Sequence, residues 1–184
     1  MLNVRYIITK GNSGTEVPQR NPYANGAAWF VENVIIAENA NEELLLLDSL
    51  DTKSTAIIHK EFSNKLPLEN IQRDSTATIK LKSHTPNYLV YESSTVSPQL
   101  ALFPEAYYSN GWNAYIDGQL VEHFRANYIL RAMKIPEGNH TIEYKFEPQV
   151  VATGSKISLA SSILFLLVLV GGVVLLRRQE SFKE

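Results

Sequence analysis

The sequence predicts a mainly β protein: an antiparallel β-sandwich, with a smaller α+β part before it and one transmembrane helix after it. Three observations carry this. Strand signals come close together between residues 76 and 146, with a period-two alternation of apolar and polar side chains at 76–82 and again at 140–146, as strands with one buried face show. Turn signals, above all Asp117-Gly118 and Pro136-Glu137-Gly138-Asn139, cut that stretch roughly every 8–12 residues, the spacing of a sandwich. From Ile157 to Leu176 twenty residues pass without a charge.

The elements follow in order. LNVRYIIT, residues 2–9, has the length and β-branched content of a strand. Residues 10–26 are rich in Gly, Pro, Asn and Ser and predict a long loop. AAWFVENVIIA, residues 27–37, resumes a strand pattern. Residues 39–51 predict a helix: Asn39 or Asn41 caps it, Glu42 and Glu43 sit in its first turn, and Leu44, Leu47 and Leu50 share a buried face. TAIIHK, residues 55–60, is a short strand. The polar stretch from Glu61 to Asp74 marks an internal boundary, giving an α+β part over residues 1–60 and a sandwich over 61–150. Within the sandwich, strands are predicted at 76–82, NYLVYE (87–92), QLALF (99–103), 112–116, 120–124, 128–135 and 140–146. Asp117-Gly118 supplies a tight hairpin, and Ile142, Tyr144 and Phe146 share one face.

The charge-free segment at 157–176 is the transmembrane helix. At about 1.5 Å per residue it spans about 30 Å, the thickness of the hydrocarbon core. Fourteen of its twenty residues are Leu, Ile, Val or Phe, worth on the order of 4 to 8 kcal/mol of insertion free energy. Arg177 and Arg178 follow it, against Lys156 alone before it. The positive-inside rule therefore puts the 177–184 tail in the cytoplasm and residues 1–156 outside. MLNVRYIITKGNSG has an arginine inside a short apolar run and reads as a strand rather than a signal peptide. Either upstream membrane helices deliver the domain, making this chain a fragment, or the chain is tail-anchored with a cytoplasmic domain. RRQESFKE after the helix excludes a GPI signal, which ends in its apolar tail.

The formal net charge is −2, with no basic stripe, which argues against a nucleic-acid partner. With no cysteine, disulfides, thiolate metal sites and a cysteine nucleophile are excluded. His59, His84, His123 and His140 lack ligand spacing, so no metal is predicted. No G-x-S-x-G surrounds a serine and no Gly-rich phosphate loop occurs. Asp48 and Asp51 read as a solvated helix end, and Asp117 as a turn residue. Asn139-His140-Thr141 is a glycosylation sequon by pattern alone. No catalytic residue and no cofactor is predicted. The remaining candidates form a glycan contact: Trp112, Tyr107 and Tyr108 as stacking rings, with Asn110, Asn127 and Arg131 as polar partners. The alternative for these rings is core or inter-strand packing.

The densest pattern is PEAYYSNGWNAYIDGQLVEHFRANYILRAMKIPEGNHTIEYKFEP, from Pro104 to Pro148. Its aromatic pair, Gly-Trp, Tyr-Ile-Asp-Gly hairpin, Arg-Ala-Asn-Tyr strand and Pro-x-Gly-x-His turn resemble the C-terminal signature of the bacterial YfhO membrane-protein family. LNVRYII and NPYANGAAWFV resemble upstream pieces of the same family. The resemblance implies a relative of polytopic C-type glycosyltransferases, which use lipid-linked sugars on the outer face of the membrane and modify envelope polymers. The carboxylate that the class uses lies in an early loop between N-terminal helices, which this chain lacks. The resemblance therefore implies a C-terminal fragment: a non-catalytic extracytoplasmic accessory domain and the last membrane helix. Its expected partners are the lipid bilayer, upstream membrane helices and an envelope glycan. A single-pass glycan- or protein-binding module and a tail-anchored cytoplasmic domain are the alternatives.

Overall fold

The strands signalled between residues 76 and 146 form most of two packed antiparallel sheets. The structure, a computed structural model, describes residues 1–11, 14–65 and 74–181, with side chains described as far as Gly172 in the last helix. The strands are β1 (Tyr6–Lys10), β2 (Glu16–Arg20), β3 (Trp29–Val31), β4 (Asn33–Ala37), β5 (Thr55–His59), β6 (Thr78–Thr85), β7 (Tyr88–Thr95), β8 (Gln99–Ala106), β9 (Trp112–Ile116), β10 (Gln119–Val121), β11 (Phe124–Ala126), β12 (Leu130–Ile135) and β13 (Gly138–Phe146). The helices are α1 (Ala40–Leu46) and α2 (Gln149–Ser181).

One sheet runs β10-β9-β13-β7-β6 and the other β11-β12-β8-β3. Between them lies a core of Leu89, Tyr91, Ala114, Ile116, Ile142 and Tyr144 from the first and Ala101, Phe103, Met133 and Ile135 from the second. Period two sends alternate residues of the second sheet to its other face. There Leu100, Leu102, Leu130 and Ala132 meet Ala56 and Ile58 of β5, which pairs in parallel with β4. The four-stranded sheet is therefore buried on both faces, which is why Gln99–Phe103 is a continuous buried run rather than an alternating one.

This layering sets the boundary. Met1–Phe146 forms one compact unit and Glu147–Glu184 another. Residues 1–60 contribute to the first unit. β3 is the outer strand of the second sheet, paired with β8 through Trp29↔Leu102 and Val31↔Leu100, and β4–β5 backs that sheet. Of the polar stretch from Glu61 to Asp74, residues 66–73 lie outside the described residues.

Two further differences have physical reasons. The loop expected over 10–26 contains β2, an exposed strand whose Pro18 is tolerated because β2 has β1 on one side alone. In α1, Asn39 caps as expected, its side chain accepting from the Glu42 amide. The face turned inward carries Glu43, which is fully buried, while Leu44 and Leu45 are exposed. The Asp117-Gly118 hairpin forms as predicted, with positive φ at both residues as its twist requires.

α2 runs from Gln149 to Ser181, and Gln149–Gly172 is long and apolar enough to cross a bilayer. Two of its serines return their hydroxyls to the helix: Ser161 donates to the Ile157 carbonyl at 2.8 Å and Ser162 to Ser158 at 2.9 Å. Satisfied this way, they cost little in hydrocarbon. Of the 177–184 tail, residues 182–184 lie outside the described residues.

Candidate functional site

The signature segment 104–148 resolves into three local constructions. The first surrounds Trp112. Its indole packs on Phe146 at 5.3 Å between ring centroids, and the Arg131 guanidinium lies 4.1 Å from its ring centre. Arg131 is almost fully buried, reaches over Tyr144 at 5.1 Å, and donates from Nε to the Ala106 carbonyl at 3.0 Å. Glycine precedes the tryptophan for a steric reason. Gly111 has φ +153, and a Cβ there would stand 2.6 Å from the Phe146 ring. Burial pulls the Arg131 pKa down, and the neighbouring Tyr144, Glu105 and Tyr91 oppose that shift. Burial, then the Glu105 carboxylate, pushes the Tyr91 hydroxyl far up. The sandwich core thus holds a cation between aromatic faces.

The second construction is the Arg-Ala-Asn-Tyr run, and it joins the N-terminal layer to the sandwich. Arg125 Nη2 pairs with buried Glu43 at 3.2 Å and with Glu61 at 3.6 Å. Ala126 is fully buried. Asn127, at φ +47, donates its amide to the Ile57 carbonyl at 2.8 Å, and its Oδ1 accepts from the Ile57 amide at 2.7 Å. The Tyr128 amide donates to Glu43 Oε1 at 2.7 Å, and its ring lies 5.5 Å from the Arg125 guanidinium. Every residue of the run holds something from β5, α1 or its neighbours.

The third ties the Tyr-Ile-Asp-Gly hairpin to the Pro-x-Gly-x-His turn. Asp117 Oδ1 accepts the Thr141 amide at 2.8 Å, and its Oδ2 lies 2.6 Å from His140 Nδ1. His140 Nε2 faces the Glu137 carbonyl at 2.9 Å. Both ring nitrogens face acceptors, so the doubly protonated imidazolium satisfies both. The Asp117 bond, then the Glu137 carbonyl, raises the His140 pKa above 6.5. The His140 bond, then the Thr141 amide, lowers that of Asp117 below 3.8. By linkage, the histidine contribution is complete below about pH 6.5 and fades as pH rises through its raised folded value. The aspartate contribution is complete above about pH 4 and is lost as pH falls through its lowered folded value. Denaturation midpoints measured from pH 6 to pH 8 should therefore fall in the parent protein and fall less in His140→Gln. Equal slopes would remove the pair from the account.

The predicted glycan-contact set is divided by this geometry. Trp112 and Arg131 are brought together, with Arg131 inside. Tyr107 is half-buried between Phe62 and His123, at 5.9 and 5.4 Å. Tyr108 and Asn110 are exposed on the loop before Trp112. Asn127 is fully buried, its side chain bonded to β5. Sequence reasoning missed the outer face of the five-stranded sheet. There Lys145 Nζ lies 4.7 Å from the Tyr115 ring and 5.6 Å from that of Tyr88, whose hydroxyl donates to Glu143. The alternation in NYLVYE and HTIEYKF places these side chains opposite the core-facing ones, a signal present in the sequence. Among the described residues no group of three or more His, Asp or Glu is placed to hold a metal ion.

Fold and site together define a β-sandwich protein whose chain continues, after two connecting residues, into an apolar helix of membrane-crossing length. The family described as bacterial membrane protein YfhO matches residues 64–158, from ahead of β6 into α2. The chain belongs to that family, and its setting is the lipid bilayer. No curated protein and no solved structure matches the chain.

Proposed function

We propose that the chain serves as the non-catalytic extracytoplasmic accessory domain, with the last membrane helix, of a YfhO-like envelope-polymer glycosyltransferase. One observation carries the reading most: the family match runs from the sandwich across Glu147-Pro148 and through the first ten residues of α2, which supports reading the domain and the start of the helix as parts of one family segment. The signature residues support a structural role, because they fix layers and turns to each other. In this reading upstream helices of the same protein bring the domain outside, and the domain shapes access of the acceptor polymer to the membrane-embedded half. Arg177 and Arg178 support a cytoplasmic C-terminus.

The 184 residues contain no cysteine, so single cysteines placed in them report topology cleanly. In intact cells a membrane-impermeant maleimide should label Ser109→Cys, on the exposed loop before Trp112, and should reach Ser181→Cys after lysis alone. The reverse pattern would put the sandwich in the cytoplasm and end this reading in favour of a tail-anchored one.

A further inference from the structure

β1 and β2 form a two-stranded sheet of their own, and every side chain in it except that of Thr9 is exposed. A lone hairpin is marginal in water and needs a surface to lie on. Register gives one face Tyr6 opposite Arg20, Ile8 opposite Pro18 and Lys10 opposite Glu16. Tyr6 is 63% and Ile8 68% exposed, a costly display unless something covers it. At the hairpin base Arg5 and Arg20 line one cleft with Asn3, Tyr6 and Asn21. Among the described residues neither arginine has a carboxylate partner.

We propose that this hairpin face is a second membrane contact, seated on the headgroup layer of an anionic bilayer. Three features select that occupant over a protein groove. Tyrosine beside aliphatic side chains is the composition of the membrane–water interface. The unpaired Arg5 and Arg20 complement lipid phosphates, whose attraction for basic residues acts within a Debye length of the surface. The two residues between β13 and α2 tether the unit that carries the hairpin to the bilayer that holds α2. The proposal rests on α2 residing in the membrane and goes beyond the accessory role, which it does not require.

The test uses the full chain in nanodiscs, with an environment-sensitive dye on Ile8→Cys or, as the opposite-face control, on Gln19→Cys. Co-elution of protein with discs reports α2 separately. In discs containing phosphatidylglycerol the dye at position 8 should shift to the blue and be quenched by headgroup nitroxides, while the dye at 19 stays water-like. Adding Arg5→Gln and Arg20→Gln should lower the docked-to-undocked ratio roughly 30-fold. Three results would overturn the proposal: the same emission at position 8 in anionic discs, phosphatidylcholine discs and detergent; a signal unmoved by the arginine changes; or a signal that grows with the number of chains per disc, which would assign the face to a second copy.

Discussion

Glu43→Ala is expected to lower the stability of the Met1–Phe146 unit by about 3 kcal/mol, the lower end of the range for breaking a buried ion pair. Glu43 is fully buried, and its side chain answers two groups at once: the Arg125 guanidinium at 3.2 Å and the Tyr128 amide at 2.7 Å. Removing it leaves a half-buried cation and an amide without their acceptor. The cost stays below the upper end because Arg125 retains Glu61 at 3.6 Å, the Tyr128 carbonyl at 2.6 Å and some solvent. Chemical denaturation of the full chain, followed by tryptophan emission, measures it. A change below about 1 kcal/mol, the scale of an exposed pair, would mean that the carboxylate contributes no more than a surface one.

Asn127→Ala should cost about 2–4 kcal/mol. Its Oδ1 is the acceptor for the Ile57 amide, which is buried beneath the second sheet, and a buried donor left unpaired costs roughly 1–3 kcal/mol. Asparagine also tolerates the left-handed backbone at φ +47, where alanine adds about 1 kcal/mol of strain. Asn127→Gly separates the two: it accepts that φ but supplies no oxygen, so it should recover the strain portion and keep the hydrogen-bond loss. Equal stability of the glycine variant and the parent would show that the side-chain bond contributes nothing. Glu43 and Asn127 act on the same turn, so their combined effect should fall short of the sum.

Much of the sandwich was legible in the sequence. Period-two alternation located β6 and β13 and placed Ile142 and Tyr144 on one face, and both are fully buried. Asp117-Gly118 fixed its hairpin, because few residues take two positive φ values in a row. What depends on distant partners was not legible. Amphipathic reasoning assigned the buried face of α1 to leucines, because nothing near residue 43 shows that Tyr128, 85 positions later, supplies the amide that accommodates a buried carboxylate. Trp29–Val31 reads as a strand, but its place beside β8 follows from tertiary packing alone. The same holds for the candidate site. Trp112 and Arg131 lie together in the fold, while Asn127 looked equally available, and its burial against Ile57 depends on β5 lying behind the second sheet.

Native-state hydrogen exchange on the full chain in nanodiscs addresses most directly whether the N-terminal layer and the sandwich stand as one unit. If the Arg125–Tyr128 run clamps them, the Ile57 amide and the β12 amide of Met133 should exchange through the same global opening, with equal free energies and equal sensitivity to denaturant. Ile57 exchanging through a separate, lower-energy opening while Met133 stays protected would contradict it, leaving β4, β5 and α1 as an independent appendage.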